Sequence, residues 1–181
     1  MRKIALIMSL GMVLAGCTPV RRPVYVPPPP PKPVMKDEVD RFTGIRKVSW
    51  TSAVSGPGLF ASYLATADKA GSFKKSTPVI ILTTTGREWK YLKCNGTHWL
   101  ADGARVPTIE VKHDGSVMTG GVIEHIANRF TYADFQRLAA AKSVEYKVCN
   151  DEFILYPSEM EGLKRTAELM ETPGYVTPIS K

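Results

Sequence analysis

A run of prolines divides this chain into a part that can build a regular core and a part that cannot. Residues 18–36 read TPVRRPVYVPPPPPKPVMK and hold eight of the fourteen prolines, at positions 19, 23, 27–31 and 33. Proline fixes φ and donates no backbone hydrogen bond, which excludes a helix or an interior strand here. The expected conformation is an extended polyproline II spacer of about 3.1 Å per residue, up to roughly 60 Å in all. Such a segment could also dock in an aromatic groove that reads preformed Pro-rich helices. Six of the 24 basic residues and two of the 17 acidic ones precede residue 40. The remainder carries 18 against 15, a net of +3. That is too weak a charge to argue for a nucleic-acid partner.

The residues ahead of the prolines read MRKIALIMSLGMVLAGC. Arg2 and Lys3 are followed by an apolar run from Ile4 to Leu14, broken by Ser9 and Gly11. The run is shorter than the roughly 20 residues that span a bilayer. Charge, length and a small-residue end read as a secretory signal peptide. Its end, Leu14-Ala15-Gly16-Cys17, resembles the lipobox of bacterial lipoproteins. The resemblance implies cleavage before Cys17, diacylation of its thiol and acylation of its new amine. Several acyl chains on one residue anchor firmly where a single chain is marginal. Thr18, where an Asp would imply inner-membrane retention, implies the outer membrane. The expected organisation is a signal peptide over 1–16, lipidated Cys17 with its tether over 17–39, a β-rich domain over 40–171 and an irregular tail over 172–181.

From Asp40 onward the apolar pattern is mostly period two with turn punctuation. Strands are expected over 45–53 and 59–67 around Gly56-Pro57-Gly58, and over 79–84. Others are expected over 88–94 and 97–101 around Asn95-Gly96, and over 108–113 and 116–126 around Asp114-Gly115. A last pair, over 144–149 and 152–156, flanks Asn150-Asp151. Asn-Gly and Asp-Gly are strong hairpin signals because both central residues take positive φ. Thr131 with Asp134 starts a helix over 132–142, and Ser158 with Glu161 forms a capping box before a helix over 159–170. Their apolar stripes are Phe135, Leu138, Ala139 and Leu163, Ala167, Met170. The fold class is therefore mainly β (α+β), an antiparallel sandwich-like domain with two short helices near the C-terminus. The helices are expected at an open sheet edge or the sandwich mouth.

KYLKCNGTHWL, residues 90–100, places Cys94 four residues before His98. As an Asn95-Gly96 hairpin it pairs Cys94 with Thr97 and Lys93 with His98, on opposite faces of the ladder. A Cys–His couple needs hydrogen-bond reach, and this register denies it. The expected second hairpin puts Cys149 opposite Glu152. Two cysteines besides Cys17, in an oxidising envelope, make Cys94 and Cys149 a candidate disulfide, with two separate thiols as the alternative.

Other chemistry is sparse. His113, before Asp114-Gly115, reads as an exposed turn residue, and His125 as packed within a strand. Glu124, beside His125, faces the other way. No metal-ligand spacing, GxSxG or P-loop occurs, so no metal or cofactor is expected. Trp50, Trp89, Tyr91 and His98 are the candidate binding residues, because exposed aromatics on a sheet can stack on glycan or hold a partner strand. The expectation is a non-catalytic binding or assembly module, anchored in the outer membrane and facing the periplasm. Its partners would be the lipid bilayer and an envelope protein or peptidoglycan. A cell-wall or small-molecule hydrolase built from sequence-distant residues and a structural or surface-exposed lipoprotein are the alternatives.

Overall fold

The computed structural model describes residues 32–53 and 58–173. The signal peptide, Cys17, most of the tether, most of the Gly56-Pro57-Gly58 turn and the tail from 174 lie outside the described residues.

The protein is mainly β, as its alternating pattern requires. Strands β1 (Val34–Val39), β2 (Arg46–Thr51), β3 (Phe60–Thr66), β4 (Val79–Gly86), β7 (Glu110–Met118) and β8 (Gly121–Arg129) form one sheet. Its order is β1-β2-β3-β4-β8-β7, antiparallel throughout. Strands β5 (Thr97–Ala101), β6 (Ala104–Val106), β9 (Val144–Val148) and β10 (Asp151–Ile154) form a second antiparallel sheet, ordered β10-β9-β5-β6. Helices α1 (Tyr132–Ala140) and α2 (Pro157–Glu171) complete the layers.

The large sheet begins inside the segment read as tether, because β1 covers Val34–Val39. Pro33 is the last proline of the run. Past it every residue can donate a ladder bond, and an edge strand pairs on one side only. The turn after β1 is held by Asp40, whose Oδ1 accepts from Phe42 N–H (2.9 Å) and Thr43 N–H (2.8 Å).

The small sheet packs on the core face of the large one through Trp99 and Asn128. Asn128 is fully buried, and its Oδ1 accepts from the Trp99 indole (3.2 Å) and the Thr97 hydroxyl. Its Nδ2 donates to the carbonyls of Ile126 (2.9 Å) and Ile80 (3.3 Å). Trp99 stacks on Tyr146 at 4.9 Å, and Tyr146 on Phe153 at 5.1 Å.

Helix α1 starts at Thr131, whose hydroxyl accepts from Asp134 N–H (3.0 Å), and buries Phe135, Leu138 and Ala139 as its pattern predicts. Helix α2 starts two residues earlier than expected. Pro157 occupies its first position, where a missing N–H costs nothing, and Glu159 rather than Glu161 reaches back to the Tyr156 N–H (2.9 Å). Glu159 is fully buried, and its other oxygen accepts from Ala61 N–H at 2.7 Å. Burial pushes this carboxyl above its ordinary value.

Helix α2 lies on the sheet face rather than at an edge. A Cβ on Gly162 would stand 2.4 Å from Trp50 Cδ2 and Cε2. The helix approaches β2 closely because this residue has no side chain. Gly162→Ala should therefore lower stability by about 2 kcal/mol through overpacking, read as a lower urea midpoint. An unchanged midpoint would mean that α2 does not rest on the indole.

Three expected turns fall elsewhere. Residues 88–94 form no strand, and Asn95-Gly96 closes no hairpin. Strand β5 pairs instead with β9 and, through Asp102-Gly103 at φ 48° and 79°, with β6. Asp102 anchors that turn by accepting from Ser143 N–H (2.9 Å) and Lys142 N–H (3.0 Å). Strand β7 runs straight through Asp114-Gly115 and turns at Thr119-Gly120, closed by Met118 opposite Gly121. In the last hairpin the turn residues are Cys149-Asn150, with Val148 opposite Asp151 and Cys149 at φ 57°. That moves the turn by one residue and each cross-strand partner by two, so Val148 faces Asp151 rather than Phe153.

Candidate functional site

A buried carboxylate with three protein donors, Glu124, lies on the core face of β8. The alternation that buries Val122, Ile126 and Asn128 also buries it. A buried carboxylate is costly unless its oxygens are hydrogen-bonded. Here Oε1 accepts from Lys90 N–H (2.7 Å), and Oε2 from Tyr91 N–H (2.9 Å) and His113 Nε2 (2.9 Å). Burial pushes the carboxyl up, but the Lys90 N–H, the His113 ring and the Tyr91 N–H together outweigh it and hold it below its ordinary value. An ionised carboxylate only accepts, so His113 Nε2 carries the proton.

His113 reaches Glu124 because β7 is not interrupted at Asp114-Gly115. It sits opposite Ile126, with Gly115 opposite Glu124, so its side chain lies diagonally next to the carboxylate. His113 is therefore a half-buried strand residue, not an exposed turn residue. Gly115 has its own reason to remain a strand glycine, since a Cβ there would meet Trp89 Cζ3 and Ile123 O at 2.6 Å. Trp89 lies over it, edge-on to His113 at 6.4 Å.

The segment between β4 and β5 is thus held by Glu124 through its backbone and by Trp89 through its side chain. Asp151 holds it again: its Oδ2 accepts from Tyr91 OH (2.9 Å) and pairs with Lys90 Nζ (2.9 Å). The Lys90 and Tyr91 contacts keep Asp151 below its ordinary value. Cys94 completes the attachment by a disulfide to Cys149, with Cα atoms 5.9 Å apart. Chemically this is a clamp, with every acceptor of Glu124 turned onto protein donors.

The candidate binding residues do not converge. Trp50 is buried and stacks on Tyr63 at 5.3 Å, and Tyr91 is buried under the clamp. Trp89 keeps 36% of its surface exposed. His98 is exposed on the outer face of the small sheet, opposite Lys147. Cys94 and His98 are no couple, because Cys94 is bonded to Cys149 and His98 points outward from β5. His125 bonds Thr83 Oγ1 through Nδ1 (2.9 Å), on the face opposite Glu124. Among the described residues no three His, Cys, Asp or Glu side chains are grouped to hold a metal ion.

The His113–Glu124 pair escaped the sequence reading. The signal was the second glycine turn at Thr119-Gly120, which moves the β7–β8 register and brings these residues to one face. The chain matches no protein-family model, and no curated protein or solved structure matches it.

Proposed function

We propose that the chain is an outer-membrane lipoprotein, anchored through acylated Cys17, whose β-rich domain is a non-catalytic binding or assembly module of the envelope. The observation that carries this is the order of the chain. Leu14-Ala15-Gly16-Cys17 is followed by prolines through Pro33, and the first strand begins at the next residue, Val34. Such an order suits a domain held off a bilayer by a stiff spacer and facing the periplasm, where an envelope protein or peptidoglycan is within reach. The titratable groups support the non-catalytic reading. Glu124 and Glu159 turn both carboxylate oxygens onto protein donors, the arrangement of carboxylates that hold backbone in place.

Cys17→Ser is the test. It should move the protein from the membrane to the soluble envelope fraction, by about tenfold or more, because the signal peptide's apolar run is removed on export and the acyl chains supply the attachment. The mass of the N-terminal peptide should show the acyl groups in the parent and not in the variant. A parent whose N-terminal peptide carries no acyl groups, or a cleaved variant that stays with the membrane, would overturn the anchor.

One observation favours the hydrolase alternative. His113 and Glu124 are sequence-distant and 2.9 Å apart. Cleavage of a cell-wall substrate that His113→Ala abolishes would establish it in place of the binding reading.

A further inference from the structure

Strand β7 ends the six-stranded sheet, and among the described residues no strand pairs with its outer edge. It is nine residues long and pairs with β8 without a break in register. Typical strands run about 5–6 residues, and exposed edges are usually shortened, bulged or covered. The last two residues of β7 are exposed apolar side chains, Val117 at 76% and Met118 at 47%.

We propose that this edge is a homodimer interface, in which β7 pairs antiparallel with β7 of a second copy to make one continuous twelve-stranded sheet. The idea goes beyond the lipoprotein reading and does not depend on it.

A two-fold axis perpendicular to the sheet keeps every side chain on its own face. Facing residues must then both be odd-numbered or both even-numbered, since neighbours along a strand point to opposite faces. Centring the axis on Lys112 sets Lys112 against itself and Glu110 against Asp114. Centring it on Asp114 sets Asp114 against itself. Centring it on Val111 or Gly115 shortens the overlap. The axis through His113 sets that residue against itself but brings no like charges of Lys112, Asp114 or Glu110 together. Lys112 then faces the other copy's Asp114, twice over. Lys112 and Asp114 are exposed and form no ion pair among the described residues. Glu110 faces Ser116 and keeps its own partner, Arg129.

The same register accounts for Trp89. Val111 of one copy faces Gly115 of the other, and Gly115 is the residue that Trp89 covers. Cross-strand neighbours lie about 5 Å apart, so Val111 packs beside the exposed part of the indole. The other edge strand, β1, has no outer neighbour among the described residues and is the rival, since Lys36 and Glu38 are self-complementary about Asp37. That edge is shorter, its Lys36 and Glu38 already approach each other at 4.0 Å, and Glu38 also faces Lys47 within the sheet.

Analytical ultracentrifugation of the full chain in detergent tests this. The parent should dimerise. Lys112→Asp alone and Asp114→Lys alone should each weaken the dimer by about tenfold or more, since like charges then face each other twice. The double variant Lys112→Asp/Asp114→Lys should restore it, which a folding defect would not do. A monomeric parent, unaffected single variants or a double variant that stays weak would each overturn the proposal. Dissociation by Lys36→Glu with Lys112→Asp silent would assign the interface to β1 instead.

Discussion

Replacing both bridged cysteines, Cys94→Ala with Cys149→Ala, should lower the free energy of unfolding by about 4 kcal/mol. The bridge closes a loop of 55 residues that contains β5, β6, β7, β8, α1 and β9. Cross-linking so long a segment removes many conformations from the unfolded chain, and in the loop-entropy account that is where most of the effect lies. The folded state should survive the change. The Cys149 N–H still donates to Gly96 O at 3.0 Å, and Glu124 and Asp151 still hold Lys90 and Tyr91. Urea titration of parent and double variant measures the difference, and a reductant added to the parent should reproduce it. A difference under about 1 kcal/mol, or two free thiols in the mature parent by mass spectrometry, would overturn the assignment.

Residue pattern and tertiary contact had different reach in this chain. The fold class was legible because period-two alternation is a local property, written along β2, β4, β8 and β9. Helix α1 was legible for the same reason, from Thr131 and its apolar face. Turn positions were not. Asn95-Gly96 and Asp114-Gly115 carry strong turn dipeptides, yet neither closes a hairpin. Asp114-Gly115 yields because β8 offers nine residues to pair, and only a turn at Thr119-Gly120 lets β7 match that length. Gly115 is there to admit the Trp89 ring, a contact between residues 26 positions apart that no local rule reads. Asp102-Gly103 carried the same signal and does close a turn, between β5 and β6. The disulfide was anticipated from compartment and cysteine number rather than geometry, and it forms although the hairpin drawn around Cys94 does not. The His113–Glu124 pair depended wholly on register, so one misplaced turn hid it.

Glu124→Gln should cost about 3 kcal/mol at pH 7, since breaking a buried, hydrogen-bonded charge leaves its donors without an equivalent acceptor. An amide offers one oxygen to three donors, the N–H groups of Lys90 and Tyr91 and the ring of His113. Its NH2 group must face at least one of them. The loss should centre on the segment that carries Trp89, seen as faster amide exchange at Lys90 and Tyr91 while Asn128 and Trp99 stay protected. The pH dependence distinguishes a charge effect from a packing effect. The folded-state value of Glu124 lies below its ordinary 4.5. Its contribution is therefore fully present above that value and is lost as pH falls through 4.5 toward the folded-state value. Asp40, Asp102 and Asp151 are lowered as well, so the parent loses stability in acid from several groups at once. The informative quantity is the gap between parent and variant, which isolates Glu124. It should be widest near pH 7 and narrow steadily below about pH 4.5, because a protonated Glu124 resembles the amide. A gap constant from pH 7 to pH 3 would mean that Glu124 acts through its shape, and the clamp would then owe nothing to its charge.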